Sequence, residues 1–78
     1  MSITVLYFAS LKDAAKTSSE QCALPESLPH LYAELRSQYG FAFEQNALRV
    51  AVNGRFVPWQ TSLNDGDNVA FIPPVSGG

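Results

Sequence analysis

One stretch of the chain, PESLPHLYAELRSQYG (residues 25–40), carries both a start and a stop signal for a helix. Ser27 offers a capping oxygen, and Pro29 falls in the first turn, where its missing N–H has no intrahelical partner to lose. Leu28, Leu31, Leu35 and Tyr39 recur at three- and four-residue intervals, and Gly40 stands where a helix closes in the left-handed conformation. The spacing predicts one amphipathic helix with a single apolar stripe. Such a stripe needs a surface to cover, and the remaining residues have to supply it.

They read as strands. ITVLYFA (3–9) is rich in β-branched and aromatic residues, with Ile3, Val5 and Tyr7 on one face and Thr4, Leu6 and Phe8 on the other. SLKDAAKT (10–17) predicts a short helix or turn, with Ser10 as a candidate N-cap. SEQCAL (19–24) predicts a weaker strand with Glu20, Cys22 and Leu24 on one side, and FAFEQNA (41–47) an irregular connector. In LRVAVNGRFVPW (48–59), Leu48, Val50 and Val52 alternate with Arg49, Ala51 and Asn53. Asn53-Gly54 supplies the positive φ angles of a two-residue hairpin turn. Pro58 cannot donate to a ladder, so the return strand 55–57 is expected to be short or at an edge. A second turn is expected at Asp65-Gly66, followed by a last strand from Asn68 to Pro73. This order predicts an α+β domain, a mixed sheet of about five strands with the main helix on one face. A β-grasp (ubiquitin-like) roll fits it, and so do other small α+β sheets.

Seventy-eight residues leave room for one core, expected over residues 1–73, with an extended tail over 74–78. At 46% hydrophobic and 15% charged, the chain belongs with globular rather than disordered sequences. A net charge of −2 and five scattered Lys and Arg residues argue against nucleic acid as the main partner. The single cysteine, Cys22, allows no internal disulfide and is read as a half-buried strand residue; with the lone His30 it builds no zinc site. His30 itself is read as a solvated surface residue, Asp65 and Asp67 as turn formers, and Arg55 as a surface charge. No apolar stretch approaches a membrane span and no leader is evident, so a soluble cytoplasmic protein with no membrane partner is expected. No catalytic triad, phosphate-binding loop or paired-carboxylate signature is present.

The ending, FIPPVSGG (71–78), is where chemistry can reside. Pro73 and Pro74 lack N–H groups, stop the sheet and favour an extended segment. At ~3.3 Å per residue, Pro73 to Gly78 can project up to about 20 Å. Gly77 and Gly78 have no Cβ, so their backbone fits a channel too narrow for other residues. A carboxylate on Gly78 is anionic at neutral pH and can attack the α-phosphate of ATP in another enzyme's site, giving an acyl-adenylate open to sulfur or an amine. Beside this tail, Leu6, Phe8, Ala51, Ala70 and Ile72 fall on the sheet face opposite the helix, which suggests an apolar partner surface.

Three segments, VLYFAS, AVNG and LNDGDNVAFIPPVSGG, together resemble the sulfur-carrier small subunits of molybdopterin synthase, the MoaD type of the ubiquitin-like β-grasp family. The similarity runs over essentially the whole chain. It implies a large-subunit partner in a heterotetramer and an ATP-dependent adenylating and sulfurating enzyme. No cofactor is implied on the chain itself, since the ATP is used by the activating enzyme. Gly78 would carry the sulfur as a C-terminal thiocarboxylate that helps to build the dithiolene of molybdopterin. Gly77 would be its threading neighbour, Pro73, Pro74, Val75 and Ser76 the inserted arm, and Phe8, Ile72 and Leu6 the apolar contact. The catalytic apparatus would belong to the large subunit. Departures are slight: Ser76 stands where threonine is also usual, and Pro29 is unusual in the main helix. A thiamine-type sulfur carrier, a ubiquitin-like protein modifier and a plain interaction module remain as alternatives, because the roll and the Gly-Gly ending serve more than one of them.

Overall fold

Ile3, Val5 and Tyr7 are buried while Thr4 and Leu6 between them are half-buried, so the first strand, β1 (Ser2–Tyr7), turns one face to a core. The computed structural model describes residues 1–74. After β1 come α1 (Ala9–Ala15), β2 (Ser19–Ala23), α2 (Leu28–Tyr39), a single 3-10 turn (Gln45–Ala47), β3 (Arg49–Val52), β4 (Arg55–Val57) and β5 (Asn68–Ile72). The five strands form one sheet in the order β2-β1-β5-β3-β4. β1 and β5 run parallel at its centre, and every other pair is antiparallel. This is the expected α+β arrangement, a mixed β-grasp sheet with the main helix on one face.

α2 begins and ends on the anticipated signals. The Ser27 hydroxyl accepts the His30 N–H at 3.1 Å, and Gly40 (φ 73°) donates its N–H to the Arg36 carbonyl at 2.7 Å. The apolar stripe is wider than predicted: Tyr32 is buried with Leu28, Leu31 and Leu35, whereas Tyr39 is half-buried. The hairpin also follows the sequence, with positive φ at Asn53 (53°) and Gly54 (84°) and Val52 facing Arg55. As Pro58 implied, β4 is a three-residue edge strand.

Two expectations change. Ser10 does not cap α1: the chain turns at Ala9 (φ 51°), and the N-cap position falls on Phe8, which offers no side-chain bond. By Ser10 the backbone is already helical, and the Leu11 N–H donates to the Phe8 carbonyl at 3.1 Å. The segment 41–47 is more than a connector, because Phe41 is buried in the core. There Tyr32 stacks on Phe41 (centroids 6.0 Å) and tilts against Phe71 (5.2 Å), while Trp59 stacks on Phe71 (5.7 Å) and meets Tyr32 edge-on (6.0 Å).

The DGD stretch fastens the start of β1 to β5 and the hairpin. Asp65 Oδ1 accepts the Ser2 N–H (2.8 Å), and the Gly66 N–H donates to the Ser2 carbonyl (2.7 Å). Asp67 accepts from Asn53 Nδ2 (3.0 Å) and the Asn64 N–H (2.8 Å), and Asn53 Oδ1 accepts the Asn68 N–H (2.9 Å). Turn former is thus the right reading for both aspartates, and each also joins elements distant in sequence.

Candidate functional site

Among the described residues no element covers the face of the sheet away from α2, and the strand registers decide what it displays. Leu6 lies beside Ala70, Ala70 beside Ala51, and Ala51 beside Phe56, so one apolar row crosses β1, β5, β3 and β4. Ala70 and Ala51 form a floor between larger neighbours. Toward the C-terminal end of β5, Ile72 faces Arg49, and continuing the β1–β5 register past Tyr7 and Phe71 sets Phe8 beside Ile72. Phe8 is 46% exposed and Phe56 62% exposed. The opposite end of the face is polar, with Thr4 beside Asn68.

Leu6, Phe8 and Ile72, singled out by alternation, therefore do share a face and lie near the point where β5 gives way to the tail. Pro73 is buried and Pro74 exposed, so Pro73 packs on the folded domain although it was assigned to the arm. Val75, Ser76, Gly77 and Gly78 lie outside the described residues. The base of the tail borders a hollow of ≈ 390 Å³ lined by Ala47, Arg49, Phe56, Ile72, Pro73 and Pro74. Phe56 and Arg49 were not among the sequence-based site residues. The signal that would have found them is the turn itself: a two-residue Asn-Gly hairpin fixes the register and hence the face on which Phe56 emerges. Arg49 Cζ lies 5.4 Å from the Phe56 ring centre, within cation–π range.

A larger hollow, ≈ 580 Å³, lies along α2 and the loop after it and shares no lining residue with the hollow beside Pro73 and Pro74. Two of its polar groups bond internally: the Tyr32 hydroxyl donates to the Phe43 carbonyl (2.6 Å) and Arg36 Nε to the Phe41 carbonyl (3.1 Å). On the helix side of the sheet, Glu20 accepts hydrogen bonds from the hydroxyls of Tyr7 and Tyr39. Burial first, then the bond to Glu20, pushes the Tyr7 phenol far above its usual range; the same bond is the main reason Tyr39 is raised. Burial, with Glu20 and Glu34 nearby, likewise raises the Cys22 thiol, the opposite of what a reactive thiolate requires. His30 lies on the exposed side of α2 with Nε2 2.8 Å from Glu34. Among the described residues no group of three or more His, Cys, Asp or Glu side chains could hold a metal ion. No helix there is long and apolar enough to cross a membrane. The described residues offer an apolar surface beside Pro73 and Pro74, with no nucleophile and base among them placed for each other.

A family model described as the ThiS family matches residues 5–78, nearly the entire chain and including the Gly-Gly ending. The chain belongs to the ThiS family. Within this family's reach, the molybdopterin synthase sulfur carrier subunit of Escherichia coli (strain K12) is 36% identical over 97% of this chain and 99% of its own length. A chain in the complex of subunits 1 and 2 of molybdopterin-converting factor from Helicobacter pylori 26695 is similar in structure. It gives a TM-score of 0.72 and 26% identity, with both chains covered completely. The small archaeal modifier protein 1 of Methanosarcina acetivorans shares the fold, with a TM-score of 0.79 and 23% identity over 99% of this chain and 96% of that one. At that identity the last likeness speaks for the fold alone.

Proposed function

We propose that this ThiS-family chain is the sulfur-carrier small subunit of a molybdopterin synthase. The observation that carries the reading is similarity from end to end: 36% identity to a carrier subunit of that name over nearly the full length of both chains. An apolar sheet face at the base of the tail supports it, since a carrier must dock on enzymes that hold the reacting groups. So does the match of the family model through Gly78.

In this reading the carboxylate of Gly78 attacks the α-phosphorus of ATP on an adenylating enzyme and displaces pyrophosphate. A reduced sulfur donor then attacks the acyl carbon and AMP leaves, so that a C–S bond replaces a C–O bond. Gly77 and Gly78 present no side chain to the channel that admits them, and Pro74 holds the departing backbone to extended geometry. The large subunit of a heterotetramer receives the thiocarboxylate, whose anionic sulfur is the nucleophile for dithiolene formation. Leu6, Phe8 and Ile72 contact that subunit. All of this takes place in the cytoplasm, where ATP is available.

Intact-mass spectrometry of the chain incubated with its activating enzyme, ATP and a sulfur donor tests the reading. The expected product is heavier by the exchange of one oxygen for sulfur and does not form when Gly78 is deleted. Absence of that product from the complete chain would overturn the reading, and lysine conjugates that survive reductant would replace it with a protein modifier.

A further inference from the structure

The open face of the sheet has an unusual charge distribution. In a chain with twelve charged side chains by composition (five Lys and Arg, seven Asp and Glu), Arg49 is the only charged residue on that face among the described strand residues. Its neighbours there are Ile72, Ala51 and Phe56, and no carboxylate among the described residues forms an ion pair with it. The guanidinium is not loose: it is stationed over the Phe56 ring at the rim of the hollow beside Pro73 and Pro74. Stacking lowers the entropy to be lost when the group is paired, because the ring already restricts the side chain. An exposed aromatic joined to an arginine, on a surface depleted of lysine and of both acids, has the composition of an interface centre rather than a solvated face.

We infer that Arg49 sets partner specificity on this face by pairing with a carboxylate that the docking partner presents beside the entrance to its tail channel. The inference rests on the proposed function and adds the chemistry of the matching surface: an apolar patch complementary to Leu6, Phe8, Phe56 and Ile72, carrying one acid opposite Arg49. Charge complementarity selects this occupant. A purely apolar partner would desolvate an unpaired guanidinium at a cost, and a basic one would repel it. Arg49 touches no reacting atom; it aligns the entering tail through the docked face.

Calorimetric titration of the full chain into the synthase large subunit, repeated across sodium chloride concentrations, tests this directly. Arg49 is exposed, so Arg49→Met keeps its stem on the apolar surface and preserves the fold. Arg49→Met is expected to weaken binding roughly three- to tenfold and to flatten the salt dependence, Arg49→Glu to weaken it further, and Arg49→Lys to retain the wild-type salt slope. Wild-type binding with an unchanged affinity and salt slope in Arg49→Met overturns the inference and leaves the proposed function standing. Failure of the wild-type chain to bind overturns both.

Discussion

The two faces of the sheet are made from the same strands, yet they obey different rules. On the helix face, Val5, Val69 and Phe71 are fully enclosed, and the polar atoms that reach inward find partners, as Tyr7 does at Glu20. On the open face, two alanines form a flat floor and the large side chains, Phe8 and Phe56, stand 46% and 62% exposed to solvent. Close packing makes the first face intolerant of volume change. The second leaves Phe8 and Phe56 largely uncovered, and on the proposed function that apolar area serves association. The difference teaches that strand alternation here divides stability from binding.

Paired substitutions break that division if it is wrong. Phe71→Ala removes a ring in contact with Tyr32 and Trp59 and should cost about 3–5 kcal/mol of stability. In a domain of this size such a loss is a large part of the total, so the denaturation midpoint should collapse. Phe8→Asp on the opposite face should leave the midpoint nearly unchanged while lowering affinity for the large subunit by roughly tenfold or more. Chemical denaturation and calorimetry read the two outcomes separately. Equal stability losses in both variants, or undiminished binding in Phe8→Asp, would show that the faces are not separate in function.

Much of this division is legible in the sequence, because it rests on local rules. Alternation in ITVLYF assigns Leu6 and Phe8 to the face away from Ile3, Val5 and Tyr7, and positive φ at Asn53-Gly54 permits only a tight hairpin. What stayed hidden depends on tertiary placement. Tyr32 sits four residues beyond Leu28 and widens the stripe, but an aromatic with a hydroxyl reads equally well as a boundary residue. Its burial works because the Phe43 carbonyl accepts that hydroxyl. Trp59 follows Pro58 in a loop with no periodicity, and only its stacking on Phe71 places it. The strand holding Phe56 has three residues, too few to show alternation, so the open aromatic and the arginine beside it emerge only from the register.

The helix face makes a further prediction through Glu20, which serves two phenols at once. Tyr7, through burial and then its bond to Glu20, and Tyr39, through its bond to Glu20 and then burial, hold their protons above the ordinary tyrosine value of 10.0. A proton held more tightly in the folded state means that stability is complete below about pH 10 and falls as pH rises beyond it. Glu20→Gln weakens both charge-assisted bonds and should cost about 1–2 kcal/mol at neutral pH, since the site is only partly buried. It should also make the alkaline decline shallower. Urea midpoints measured from about pH 8 to pH 11 check both, and parallel declines in wild type and variant would remove Glu20 from the account.

The smallest effect belongs to Asp67, in the turn just before β5. Its carboxylate is held below the ordinary value of 3.8, first by the Asn64 N–H and then by the Asn53 amide. The sign is therefore opposite to that of the tyrosines: the contribution is present above the unfolded value and disappears as pH falls through the lower, folded one. The hydrogen bonds that hold this group lie at the surface, so the change should be slight and confined below about pH 4. Asp67→Asn keeps an acceptor for the Asn64 N–H but abolishes the charge, and it should remove this part of the acid dependence without disturbing binding. Melting temperatures of the two chains should differ at pH 6 or so and converge by about pH 2.5. A constant gap across that range would mean that Asp67 acts through the shape of the turn alone, and that the stitch joining β1, β5 and the hairpin does not depend on charge.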